Sequence, residues 1–211
     1  MAYPTISAPY GLVPVGLIGG RSYVGATRQM RIASNYGTAI GKGDLVKRVN
    51  DGTIERDGST TALPDTGTLG IFMGCQYTDP NTSQLTFNNQ YPGSIVASDI
   101  EAFVVDDPDI VFKAAVCSSG TTMATVGRTA IGNNIAIISN TLTTANGQGK
   151  LAVQSGSIAT TLSLPFKVID VVEETKTGSD AFAELILAYN APYEDSNIAK
   201  GGHAYRVATG L

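Results

Sequence analysis

The sequence contains one histidine and no tryptophan. Histidine most often supplies general acid–base chemistry near neutral pH. The single candidate, His203, lies in a Gly-Gly-His-Ala-Tyr stretch within the last ten residues, where we expect a solvated side chain. A Ser-His-Asp or Cys-His triad would depend on this one terminal residue. We therefore predict that the chain has no catalytic residues and is not an enzyme.

Only two cysteines are present, Cys75 and Cys117, and they are far apart in apolar surroundings. This pattern favours buried free thiols, with a disulfide as the alternative. Two cysteines and one histidine also lack the close ligand pairs that structural zinc sites use. We predict no metal centre built on sulfur or imidazole and no cofactor.

Charged side chains are scarce, at 15 % of the residues, and 14 basic against 18 acidic groups give a net charge of −4. DNA binding needs a basic face that neutralises phosphates, so a nucleic-acid partner is not predicted. The apolar runs are shorter than the roughly 20 residues that span a bilayer. The first residues lack the basic segment of a secretory signal. We expect a protein made in the cytoplasm that has no membrane partner.

The densest acidic cluster consists of Asp106, Asp107 and Asp109 around Pro108. Carboxylates at such spacing can hold calcium. The favoured alternative is a solvated turn in which the aspartates cap backbone N–H groups. This cluster with Glu173 and Glu174 would also supply the carboxylates of a glycoside hydrolase, but no tryptophan is present to stack on a sugar. The sequence leaves the question of a bound cation open.

The stretch GTAIGKGD superficially resembles a phosphate-binding loop. A Walker A motif needs four residues between glycine and Gly-Lys, followed by Ser or Thr. Gly37 and Gly41 enclose only three, and Gly43 follows Lys42. We interpret these glycines as residues of hairpin turns.

Glycine is abundant, with 24 residues, and Thr, Ser and Asn recur in long runs. These features and short period-2 apolar segments predict an all-β fold, a β-barrel or a jelly-roll-like sandwich. The most distinct predicted strand pairs are 44–49 with 53–55 around Asn-Asp-Gly, 100–107 with 109–116 around Pro108, and 164–174 with 181–191. Residues 181–191 have the composition of a helix, but the segment is short and is followed by Pro192, so we predict a strand. Further strands are predicted near 28–33, 69–79, 84–87 and 135–140.

Residues 1–26 combine Pro4, Pro9 and Pro14 with several glycines, which disfavours helix and interrupts strand pairing. We predict an extended N-terminal arm, followed by a single β-rich domain, 27–211, with a loosely ordered C-terminal tail. The arm is too apolar for a disordered tail. Its side chains pack either on a neighbouring subunit or on the chain's own domain, and the sequence leaves both alternatives open. The residues of the predicted intersubunit arm are Gly11, Leu12, Val13, Pro14, Val15, Leu17 and Ile18.

Five segments together resemble a known family: APYGLVPVGLIGG, RQMRIASNYGTAIGKGDLVKRVNDGTI, LGIFMGCQYTD, VVDDPDIVFKAAV and PFKVIDVVE. Over most of residues 8 to 190 the chain resembles small structural proteins encoded beside the major capsid protein in marine and cyanobacterial podoviruses. The resemblance implies a cement or decoration protein on the exterior of a tailed-phage capsid, bound between capsomers of the major capsid protein and often trimeric. Its motifs are structural and imply nothing about catalysis.

Two other classes stay open. One is another virion component, such as a tail or fibre protein or the shell subunit itself. The shell subunit is disfavoured by the short chain and by the lack of a long charged helix. The other is a carbohydrate-binding or enzymatic β domain. Capsid binding by a trimer, binding to host glycans, and turnover of a substrate distinguish the three classes.

Overall fold

A computed structural model describes residues 6–58, 68–143, 145–191, 193–195, 198–200 and 202–206. Strands make up 44 % and helix 5 % of the chain, so the prediction of an all-β fold is confirmed. The three short 3-10 helices are Arg128–Ala130, Ser155–Ser157 and Glu173–Thr175. The strands are β1 Val13–Leu17, β2 Arg28–Arg31, β3 Leu45–Arg48, β4 Ile54–Arg56, β5 Gly70–Thr78, β6 Leu85–Asn88, β7 Glu101–Val105, β8 Ile110–Ser119, β9 Thr122–Met123, β10 Asn134–Ile135, β11 Ile137–Ile138, β12 Ala152–Gln154, β13 Phe166–Val171, β14 Lys176–Thr177, β15 Ala181–Phe182, β16 Glu184–Tyr189, β17 Tyr193–Asp195 and β18 Ile198–Lys200.

One continuous stretch of chain, 28–105, forms a six-stranded sheet, which we call the insert sheet. Its strand order is β2-β7-β5-β3-β4, and β6 pairs with the end of β5. A parallel bridge between Ile32 and Ile54 connects the two ends of this order, so the sheet nearly closes on itself. The enclosed cluster of buried side chains includes Phe72, Tyr91 and Val104.

The eight-stranded frame sheet is assembled from both sides of that insertion. Its order is β10-β13-β16-β8-β12-β11, and β1 and β9 also pair with β8. Only Ala136 separates β10 from β11, so the path starts and ends on one chain segment and the sheet curls into a barrel. Phe112, Phe166 and Tyr189 pack at its centre with ring centroids 5.1–5.9 Å apart. Such aromatic contacts add to the stability that burial alone supplies.

Two predicted hairpins are confirmed. β3 pairs antiparallel with β4, and the turn between them is closed by the Asp51 carboxylate, which accepts hydrogen bonds from Thr53. β13 pairs antiparallel with β16, which is a strand although its composition favours helix. The frame core provides the reason: β16 is also paired with β8, and tertiary packing overrides a weak helix propensity.

The segments around Pro108 do not form the third predicted hairpin. β7 belongs to the insert sheet and β8 to the frame sheet, so the Asp-Asp-Pro-Asp turn is a crossover between sheets. The turn residues specify a local reversal of the chain, but they do not specify which strand each run will pair with. Leu45, Ile71 and Val105 of the insert sheet pack into the frame cluster, so the two sheets share apolar contacts.

No helix in the described residues is both long and apolar enough to cross a membrane.

Candidate functional site

The inner side of the N-terminal arm is attached to the chain's own frame sheet. β1 pairs antiparallel with β8, and the Leu12 side chain is 1 % exposed in the frame cluster. The Gly11 amide donates to the Leu151 carbonyl and the Leu12 amide to the Gly43 carbonyl. These residues pack on the chain's own domain, which is one of the two alternatives that the sequence left open. Contact with a neighbouring subunit stays a prediction, and residues 1–5 lie outside the described part of the chain.

Glycines at the base of the arm bring three backbones into direct contact. A Cβ on Gly11 would lie 3.0 Å from the Gly43 Cα, and one on Gly41 would lie 2.7 Å from the Gly149 nitrogen. Gly11 and Gly43 also have positive φ values of 84° and 91°. The Asp44 amide donates to the Gly41 carbonyl at 3.0 Å, so Gly41 and Gly43 do lie in a turn, and the same glycines also allow close contact with neighbouring backbones. We call Gly11, Gly41, Gly43 and Gly149 the glycine junction, and it joins the arm, the insert sheet and the loop before β12.

A buried polar group holds the start of the arm. The Tyr10 hydroxyl donates to the carboxylate of Glu184, a buried residue at the start of β16. Lys113 on β8 lies 3.5 Å from the same carboxylate and 5.7 Å from the centre of the Tyr10 ring. Burial, helped by the Glu184 carboxylate, raises the pKa of Tyr10 far above its usual value, so the hydroxyl stays a neutral donor. No local sequence signal marks this contact, because Tyr10 and Glu184 are 174 positions apart.

The outer side of the same segment exposes apolar surface. Val15 and Ile18 are each 46 % exposed, and Val24 is 87 % exposed. We call these three residues the apolar arm face. A turn that carries Gly19 and Gly20 at positive φ separates Ile18 from Val24. Three exposed aliphatic side chains in ten residues are unusual for a connecting segment, because connections are normally polar.

The acidic turn predicted as a candidate cation site lies where the chain crosses between the sheets. Asp106 lies 3.0 Å from Arg28, and Asp109 lies 3.7 Å from Arg21 and also pairs with Arg206. The Asp107 carboxylate accepts a hydrogen bond from the Asp109 amide, which is the capping that the sequence predicted. Among the described residues no group of three metal-ligating side chains comes together. Arginine guanidinium groups neutralise Asp106 and Asp109, and these pairings were not foreseen.

A cleft of about 540 Å³ adjoins this crossover. Its walls come from the segment before β2, from the acidic turn and from Tyr205, whose hydroxyl donates to Asp106 at 2.5 Å. The lining joins apolar surface to an arginine–aspartate pair.

The C-terminal residues 202–206 pack against both sheets, and we call them the clasp. Thr68 exchanges two backbone hydrogen bonds with the clasp, from its amide to the Gly202 carbonyl and from the Ala204 amide to its own carbonyl. His203 is 1 % exposed and lies between the rings of Tyr189 and Tyr205, with both ring centroids 5.0 Å away. The expectation of a solvated His203 is thus wrong. Residues 201 and 207–211 of the predicted loose tail lie outside the described residues.

A second buried ion pair lies in the insert sheet, and its arginine also contacts the frame. The Arg56 guanidinium lies 3.1 Å from the Asp44 carboxylate and donates to the Asn140 carbonyl at 2.6 Å. Burial raises the pKa of Asp44, although Arg56 and the Gly41 amide act in the opposite direction. Asp44 and Arg56 thus hold the insert sheet against the loop around residue 140.

The remaining candidate residues have structural partners. Cys75 and Cys117 are buried free thiols, as predicted, and burial raises the pKa of Cys75 to about 12. A thiol with such a pKa is a poor nucleophile at neutral pH. Glu173 is paired with Arg128, which lies 3.9 Å from Asp180.

Comparison of the chain with protein-family models, with curated proteins and with solved structures returns no match.

Proposed function

We propose that this chain is a structural protein of a tailed-phage virion, a cement or decoration protein that binds between capsomers of the major capsid protein. In this proposal it acts as a homo-oligomer, a trimer, on the exterior of the head. The resemblance in the arm, the glycine-rich strands and the acidic turn supports this assignment. The observation that carries it is the apolar arm face, because Val15 and Ile18 are exposed on a segment whose backbone is bonded to β8 and to Asp109.

The anchoring of the arm suits it for binding. Leu12 and the Tyr10–Glu184 contact hold the inner side, so Val15 and Ile18 are presented on an ordered segment. An ordered segment loses little conformational entropy when a partner covers it. Val15 and Ile18 are already about half-buried, so covering each of them contributes on the order of 1 kcal/mol.

Repetition on a shell multiplies this contribution. An oligomer presents several copies of the apolar arm face at once, and each bound copy raises the effective concentration of the others. A modest affinity for each copy is therefore sufficient for tight binding to an assembled head. Dissociated capsid subunits offer no such array, so the protein would bind preferentially after assembly.

The experiment is quantitative co-sedimentation of the purified chain with heads assembled without it. Deletion of residues 1–26 is unsuitable, because it also removes β1 from the frame sheet and Leu12 from the core. Val15→Asp and Val24→Asp change the apolar arm face alone. Leu162→Asp is the matched control, since Leu162 is an aliphatic residue that is 65 % exposed in another loop.

Saturable binding at a fixed ratio to the major capsid protein is expected for the wild type and for Leu162→Asp. Binding should fall at least tenfold in each arm variant, since a charge would enter the apolar contact. Failure of the wild type to bind heads would overturn the proposal. Binding to host-surface glycans in its place would support a tail or fibre component.

A further inference from the structure

The clasp contains His203, the sole histidine of the chain, and this side chain is buried. Its contacts join three parts of the molecule. Thr68 lies just before β5 of the insert sheet, Tyr189 ends β16 of the frame sheet, and Asp106 with Asp109 forms the crossover between them. Release of the clasp would therefore loosen the junction of the two sheets without breaking either one.

The hydrogen bonding of the His203 ring requires one protonation state. The backbone amide of Tyr205 donates to Nδ1 of His203 at 3.2 Å. Nδ1 must then lack a proton, and the neutral ring carries its proton on Nε2. A second proton would turn Nδ1 into a donor that faces another donor, so this contact would become repulsive.

We propose that residues 202–206 form a pH-sensitive clasp, docked while His203 is neutral and released when His203 takes up a second ring proton.

Other charged groups around the ring modify this effect. Burial is the largest influence and lowers the pKa of His203 to about 4. The Leu69 backbone and the carboxylates of Asp106 and Asp107 favour the protonated ring, whereas Arg206 opposes it. Asp57 accepts a hydrogen bond from the Thr68 hydroxyl. Arg28 lies over the Tyr205 ring, and the positive charges of Arg28 and Arg48 oppose the rise in the pKa of Tyr205.

The sign of the pH dependence follows from these groups. The pKa of a released, solvated histidine is about 6.5 and exceeds that of the docked one. Docking is thus strongest above about pH 6.5 and weakens as the pH falls from there to about 4, by up to tenfold for each pH unit.

The test is amide hydrogen exchange of the full chain between pH 7.5 and 4.5, corrected for the intrinsic pH dependence of exchange. The Thr68 and Ala204 amides report on the clasp, and the Val168 amide, bonded to the Asn133 carbonyl, reports on the frame sheet. Protection of Thr68 and Ala204 should fall about fortyfold between pH 6.5 and 4.5. That of Val168 should stay constant.

Two variants separate the histidine from the carboxylates. His203→Phe retains a ring between Tyr189 and Tyr205 but cannot titrate, so its clasp protection should not change with pH over this range. Asp106→Asn removes one carboxylate and should leave the acid-induced loss in place. Equal acid sensitivity in wild type and His203→Phe would overturn the proposal, as would constant protection in the wild type.

A direct titration covers the case in which His203→Phe fails to dock at pH 7.5. The chain has one histidine, so a single set of imidazole NMR signals reports its protonation. The midpoint of those signals should coincide with the loss of Thr68 and Ala204 protection. Two clearly different midpoints would overturn the proposal.

Discussion

The insert and frame sheets are of similar construction but differ in how the chain supplies their strands. All insert strands come from one stretch, 28–105, and its ends are joined by the bridge between Ile32 and Ile54. The frame sheet needs β1 from one side of that stretch and β8 to β16 from the other. The insert sheet can therefore form from local contacts, whereas the frame sheet depends on pairing across a long insertion. This difference predicts that unfolding of the frame sheet leaves the insert sheet folded, whereas unfolding of the insert sheet also destabilises the frame sheet.

The largest expected effect comes from emptying one core at a time. Phe112→Ala in the frame and Phe72→Ala in the insert should each cost about 3–5 kcal/mol in free energy of unfolding. In Phe112→Ala, amide exchange should show lost protection at Val168 but retained protection at Ile40 and Tyr91, which bond to each other. In Phe72→Ala all three should lose protection, because an unfolded insert withdraws Leu45, Ile71 and Val105 from the frame cluster.

Simultaneous loss of protection at all three amides in Phe112→Ala would contradict this asymmetry. It would support the single cooperative domain that the sequence predicts for residues 27–211.

The next effect concerns the ion pair of Asp44 and Arg56 in the insert sheet. Arg56→Met leaves the buried Asp44 carboxylate without its cation and should cost about 3 kcal/mol near neutral pH. Loss of Arg56 raises the pKa of Asp44 further, so the folded state binds a proton that the unfolded state releases. Stability of the variant should then fall as pH rises above about 4, and chemical denaturation from pH 4 to 7 measures this. Arg128→Met, which removes an exposed arginine, is the control and should show no such pH dependence.

The glycine junction offers a sharper test of the contact between arm and insert. Gly43→Ala should cost about 2–3 kcal/mol, from the strain of positive φ and from collision with the Leu12 backbone. Gly52→Ala is the matched control, because Gly52 has a φ of 82° but open space around it, and should cost only about 1 kcal/mol. Thermal unfolding of both variants gives the difference. Equal losses would mean that close packing at the junction contributes nothing to stability.

The smallest effect is expected at the start of the arm. Tyr10→Phe removes one hydrogen bond to the buried Glu184 carboxylate and should cost about 1–2 kcal/mol. Exchange of the β1 amides should rise more than exchange of the insert amides. Tyr23→Phe is the control, since its hydroxyl makes only a 3.4 Å contact with the Ala26 carbonyl at the surface. Unchanged exchange of the β1 amides in Tyr10→Phe would show that the arm stays in place without the Tyr10 hydrogen bond and that Leu12 is sufficient to hold it.

Much of the fold could be predicted because its signals are local. Asp51 and Gly52 specify a turn, and the alternating residues on either side specify strands, so the hairpin of β3 and β4 was predicted correctly. The partners of β7 and β8 could not be predicted, because the residues around Pro108 determine only the turn. The strand at Glu184–Tyr189 was correct against its propensity, since the short length and Pro192 outweighed composition.

The candidate site was less accessible to sequence reasoning. The apolar character of the arm indicated contact surface, but its sequence does not distinguish the buried Leu12 from the exposed Val15. Glu184 has no neighbour in sequence that marks it as the partner of Tyr10. His203 follows two glycines near the end of the chain, a context that favours solvent exposure, but the fold places it beside Thr68 and between two tyrosine rings.

The chain leaves the frame sheet and returns to it at adjacent points. The Ile18 amide donates to the Asp109 carbonyl at 2.8 Å, so the backbone before the insert sheet touches the backbone after it. A short glycine linker from Ile18 to Asp109 would therefore excise the insert without changing the path of β1 or β8. A different domain could therefore be grafted into the frame at the same two residues. The surface of that domain would have to cover the apolar area left by Leu45, Ile71 and Val105.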